Sequence, residues 1–132
     1  MRGIRPVVRY LIVCEDIVLA PANTGKGITL VGLISTIRAL IPYPVRHAEL
    51  CVFVQLTECR GTGRMRIEIL EADSDRVVFR THTRSVSFVN DPLEVVAMSF
   101  RIRHCEFPAP GLYWVQFWYN EASIAQQPVI LR

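Results

Sequence analysis

Four arginines carry the sharpest chemistry in this sequence. Arg64 and Arg66 stand two residues apart, as do Arg101 and Arg103. On an extended chain, side chains two apart share a face. If the two segments are neighbouring strands, the guanidinium groups form one patch fit for phosphate, RNA or an acidic protein. The competing expectation is cross-strand pairing with Glu49, Glu58 or Glu68. Pairing is favoured, because the net charge is only +3 and no exposed aromatics are expected between the arginines. Arginine also supplies 14 of the 15 basic residues, with Lys26 the exception; coding bias in a GC-rich genome explains that more simply than function.

Other groupings fall short of a known chemistry. Asn23-Thr-Gly-Lys-Gly27 has the look of a phosphate loop, but Ala20 and Gly27 stand where a Walker loop needs Gly and Ser or Thr. A strand rather than a helix is expected after it, so no helix N-terminus awaits a phosphate. Glu71, Asp73 and Asp75 cluster at a hairpin tip, yet Arg84 occupies the twelfth position of an EF-type loop. One loop offers too few oxygens for calcium, so a turn held by Asp and Ser is expected. Glu15 and Asp16 are adjacent and face opposite ways on a strand, which prevents paired acid–base work. His47, His82 and His104 lie on separate segments; His104 is expected to continue the inward register of Met98, Phe100 and Ile102. No nucleophile elbow, zinc-protease motif or C-x-x-C pair is present. The sequence therefore predicts no catalytic residue, no metal ligand and no cofactor.

Cys14, Cys51, Cys59 and Cys105 all sit in apolar, strand-like segments, where a free thiol behaves as a small hydrophobe. That usage predicts a reduced, cytoplasmic protein, although strands distant in sequence could still bring two cysteines together. Arg2, Arg5 and Arg9 precede the short apolar run 10–14, which is shorter than a signal peptide needs and is read as a first strand. No window reaches 18 apolar residues, so no membrane span is expected. Both termini are expected to be tied down.

The aromatic signal lies in residues 107–132. A Pro-x-Pro-Gly turn leads into a strand with Tyr113, Val115, Phe117 and Tyr119 on one face and Trp114, Gln116 and Trp118 on the other. The first face is wholly apolar and belongs to a core. The second has two large rings around one amide and is the candidate interface. Packing within the domain competes with a protein contact and with a sugar-stacking platform, since Trp is common both in cores and at hot spots.

The elements that must position these residues are short and extended. Runs at 7–18, 28–40, 48–58, 64–70, 76–81 and 93–107 precede the closing hairpin, separated by Gly, Pro, Asn and Asp. The run at 48–58 is apolar on both faces and is expected to be central. A short helix is weakly indicated at 35–40. The spacing predicts one domain, residues 1–132, built as a single antiparallel β-sandwich of about eight strands.

The order of features resembles small uncharacterised bacterial proteins with an immunoglobulin-like or C2-like sandwich. The resemblance rests on Cys14-Glu-Asp16 closing the first strand, Gly27-Ile-Thr-Leu-Val-Gly32, and Phe107-Pro-Ala-Pro-Gly-Leu-Tyr113. It implies the fold and no activity, so no site residues carry over. With a hydrophobic share of 51%, the expectation is a non-catalytic binding or assembly module. It would associate with itself or a protein partner through Trp114, Gln116 and Trp118 or a sheet edge. Anionic-ligand or nucleic-acid binding on Arg64, Arg66, Arg101 and Arg103 is the first alternative. An enzyme whose site assembles only in space is the second.

Overall fold

A computed structural model describes residues 5–19, 27–88, 91 and 93–132. The phosphate-loop reading falls on 23–26, outside the described residues. So do residues 1–4 at the start of the chain, and positions 90 and 92 of the polar link before the eighth strand.

Ten strands follow in chain order: β1 Val7–Leu19, β2 Ile28–Leu33, β3 Thr36–Ile37, β4 Val45–Thr57, β5 Thr62–Glu71, β6 Val77–Arg80, β7 Arg84–Ser87, β8 Val96–Phe107, β9 Gly111–Tyr119 and β10 Ala122–Leu131. They form two sheets. The first has the order β2-β1-β4-β8, and the second β3-β10-β9-β5-β6, with β7 also paired to β5. All pairings are antiparallel except β3 with β10. Among the described residues no helix is long and apolar enough to cross a membrane.

Two-residue alternation builds the core. Leu50, Val52, Val54 and Leu56 on β4 and Phe100 and Ile102 on β8 meet Met65, Ile67 and Ile69 on β5 and Tyr113, Val115, Phe117 and Tyr119 on β9. Phe100 and Phe117 touch across the two sheets, ring centroids 6.3 Å apart and tilted by 59°. Burying a side chain the size of Phe117 contributes about 2–3 kcal/mol. Gly63 is needed for the packing: a Cβ there would stand 2.3 Å from the Tyr119 hydroxyl oxygen. β4 lies between β1 and β8, and its other face buries Cys51 and Phe53 against Cys14 and Ile17. At the entry to β9, the Tyr113 hydroxyl donates to the Ala109 carbonyl (2.6 Å) and accepts from the Ala109 N–H (3.3 Å). This tie anchors the Pro-Gly turn to the core.

Several expectations change. Among the described residues the strands number ten, not about eight. The run expected at 28–40 divides: Leu33 still pairs with Cys14 and the Ile34 N–H with the Val13 carbonyl, and the chain then leaves the first sheet to join the second as β3. That crossing replaces the helix expected at 35–40. β7 carried no apolar alternation strong enough to show in sequence. His104 takes φ +58° and is exposed, and the inward register passes to Cys105 and Phe107.

Candidate functional site

β9 is interior to the second sheet, between β10 and β5, so its outer face sits in three transverse rows. Ser123, Trp118 and Arg66 form one, Gln126, Gln116 and Glu68 the next, and Pro128, Trp114 and Leu70 the third. Arg80 extends the middle row from β6. Trp114, Gln116 and Trp118 are each half-buried.

The side chains of these rows are locked laterally. The Arg66 guanidinium lies over the Trp118 ring, 4.5 Å from its centroid. The Trp118 indole N–H donates to Gln116 Oε1 at 3.1 Å, and Gln116 Nε2 donates to Gln126 Oε1 at 3.1 Å. Glu68 is the buried charge on this face, 3% exposed. Its Oε2 accepts from Arg66 Nε (2.6 Å) and Arg80 Nε (3.0 Å). Arg66 Nη1 also reaches Glu121 Oε1 at 3.0 Å, and its pKa is raised further by Glu68 and Glu121 against the cost of burial. Two arginines close Glu68 off from water.

The β9–β10 turn completes the lock. Asn120 and Glu121 both have positive φ, 46° and 66°, the geometry of a two-residue hairpin turn that non-glycine residues adopt at a cost. The Arg64 N–H donates to Asn120 Oδ1 (3.0 Å), and the Asn120 N–H donates to the Arg64 carbonyl (2.9 Å). Together with the Arg66–Glu121 pair, these bonds tie the turn to β5.

The four arginines are not brought together. Arg64 and Arg66 belong to β5 of the second sheet, Arg101 and Arg103 to β8 of the first. Arg101 Nη1 bonds Glu49 Oε1 (2.7 Å) and Asp16 Oδ1 (3.1 Å), and Arg103 Nε lies 4.0 Å from Glu49. These bonds raise the Arg101 pKa. The Ile17 N–H and then Arg101 hold Asp16 below the usual carboxylate value. Arg66 pairs with Glu68, while Glu58 faces Arg9 at 3.8 Å. At the tip of the β5–β6 hairpin, Glu71 accepts from the Ser74 hydroxyl (3.0 Å).

The groups with shifted protonation are mainly in the core. Burial pushes the Cys105 thiol up to about 12 and Cys14 up to about 11. Cys14 and Cys51 are cross-strand partners, and all four thiols are free and buried. None of these thiols lines the groove of about 600 Å³ between β1 and the β2–β3 crossing, whose walls are Arg9 to Val13, Leu33 to Ser35 and Gln127.

The pattern of β9 predicted the Trp face. The Arg66–Glu68–Arg80 clamp was not found by sequence reasoning; the signal was the alternation Arg64, Arg66, Glu68 opposite an unplaced β9.

The model of the Family of unknown function (DUF6941) matches residues 9–132. A search of curated proteins gave no match. Among solved structures, the crystal structure of a mutant β-glucosidase from Listeria innocua in complex with laminaribiose is similar over 74% of this chain, with 13% identity and a TM-score of 0.49. A second crystal structure of β-glucosidase from Listeria innocua is similar over 74% of this chain, with 12% identity and a TM-score of 0.46. The chain spans 14% of the length of each.

Proposed function

Since the chain belongs to this family of unknown function, whose membership carries no activity with it, we propose a function from the geometry alone: a non-catalytic module that associates through the outer face of its second sheet. The observation that carries this is the locked face itself. Trp114 and Trp118 flank Gln116 on an interior strand, and no strand among the described residues packs over them. Trp and Arg dominate interface hot spots, and side chains already fixed lose less entropy on binding. Arg66, bonded to Glu68 and Glu121 and stacked on Trp118, is fixed before any partner arrives.

The finer fold reading is immunoglobulin-like. It is supported by β1, β4 and β8 packing against β5, β9 and β10, by β3 running parallel to β10, and by the Tyr113 tie to the chain upstream. A cytoplasmic location is supported by the four free thiols.

The test compares wild type, Trp114→Ala and Trp118→Ala by light scattering and by capture of a protein partner. Capture of the partner is expected to weaken by at least about tenfold in the Trp118 variant, the usual scale of a hot-spot loss. If all three proteins are monomeric and none retrieves a partner, the proposal fails.

A further inference from the structure

Among the described residues, one sheet edge carries neither charge, proline, a bulge nor shortness as a guard. An unpaired edge offers free N–H and C=O groups to another strand, and folded proteins blunt it with charge, proline, a bulge or shortness. The β8 edge presents exposed Arg101, Arg103 and Glu106, with a kink at His104. β3 has two residues, and β6 and β7 have four each, with Arg80 and Arg84 at their ends. The stretch of β10 beyond the reach of β3 contains Pro128. The first half of β1, which β2 does not cover, has a register shift between Val8 and Tyr10, at Arg9.

β2 has neither charge nor proline of its own; its one irregularity is Gly32, at φ +66° with the Glu15 side chain against it. This strand is the terminal one of the first sheet, Ile-Thr-Leu-Val-Gly-Leu. Its register with β1 is unbroken, and five of its six residues are exposed. Among the described residues twelve large apolar side chains are left exposed, and six lie on β1 and β2: Tyr10, Val18, Leu19, Ile28, Val31 and Leu33. The Ile34 N–H donates to the Val13 carbonyl. Since successive residues of a strand point to opposite sides, the N–H groups of Thr29 and Val31 face away from β1, with no backbone partner among the described residues.

We propose that β2 pairs antiparallel with β2 of a second copy, joining two four-stranded sheets into one of eight strands across a two-fold axis. The absence of charge selects this occupant. Any other described edge of the chain would set a guanidinium, a carboxylate or a proline against β2, or is the two-residue β3, whereas β2 against itself opposes no like charges and matches apolar side chains on both faces. The exposed apolar side chains of β2 itself, Ile28, Val31 and Leu33 at 39–71%, flank the join and are partly covered, and the main-chain hydrogen bonds of the added strand supply the rest of the attraction. A dimer with a micromolar dissociation constant is expected. This rests on the edge and not on the tryptophan face, and the two separate experimentally.

Val31→Lys and Val31→Glu are followed by sedimentation velocity over a concentration series, with circular dichroism confirming the fold and Trp118→Ala alongside. Wild type and Trp118→Ala are expected to dimerise. Each Val31 variant alone is expected to weaken dimerisation by at least about tenfold, and an equimolar mixture of the two to restore it. Amide exchange at Thr29 and Val31 in wild type slows as the dimer forms. The proposal is overturned if wild type stays monomeric into the high-micromolar range. It is also overturned if the Val31 variants dimerise as wild type does, or if only Trp118→Ala dissociates the dimer. That last result would leave the tryptophan face standing and the edge refuted.

Discussion

Replacing Glu68 tests what holds the outer face of the second sheet together. Its Oε2 is shared by Arg66 and Arg80, but the two arginines differ in surroundings: the Arg66 side chain is 13% exposed and Arg80 58%. Removing one member of a buried pair costs about 3–5 kcal/mol because a charge stays stranded. Arg80 swings into water and contributes little, about 0.5 kcal/mol or less. Arg66 keeps Glu121 and the Trp118 ring, which lowers the cost of its stranding. Glu68→Ala is therefore expected to cost roughly 2–3 kcal/mol, or about 10 °C in Tm for a domain of this size. Arg80→Ala is expected within about 0.5 kcal/mol of wild type, since Glu68 retains Arg66. Urea unfolding followed by tryptophan fluorescence measures both, and the native emission of Glu68→Ala should shift as Arg66 leaves Trp118. Equal costs for the two variants, or a Glu68→Ala cost under about 0.5 kcal/mol, would refute the clamp.

Two further outcomes follow from the core. Tyr113→Phe loses both bonds to Ala109 and is expected to cost about 1–2 kcal/mol. The buried Tyr119 hydroxyl has no hydrogen-bond partner among the described residues, so Tyr119→Phe is expected to be neutral or stabilising; thermal melts of the two variants decide. The thiols predict alkaline weakening. Their folded pKa values are raised above the ordinary 9.0, to about 11 for Cys14 and about 12 for Cys105. The stability they contribute is thus complete below pH 9 and is lost as pH climbs from 9 toward those values. Between pH 9 and 10 the loss is about 1 kcal/mol per thiol, measurable as a falling urea midpoint that Cys105→Ala should partly flatten.

Local pattern made β9 readable before its neighbours. Tyr113, Val115, Phe117 and Tyr119 alternate without a break, and each is buried to within 1%. β4 was readable as central because Cys51 and Phe53 are apolar on the face opposite Leu50 and Val52. What failed to show in sequence was set by backbone conformation or by topology. Nothing in the side chains announces that the chain passes into the other sheet after Ile34. His104 likewise breaks an alternation that its neighbours seemed to continue. The separation of Arg64 and Arg66 from Arg101 and Arg103 depends on strand order, which two-residue periodicity does not encode. The clamp on Glu68 needed β5, β6 and β9 to be placed side by side, and the short strand β6 offered little pattern with which to do so.

Trp114 and Trp118 are the two tryptophans of the chain, so their emission reports on the proposed association face alone. The most direct measurement is iodide quenching of that emission in the free protein and in its complex with a captured protein partner. Protection of the tryptophans on assembly, with assembly weakened in Trp118→Ala, is the predicted result. Quenching unchanged between the free and assembled forms, with assembly intact in Trp118→Ala, would contradict an interface on this face.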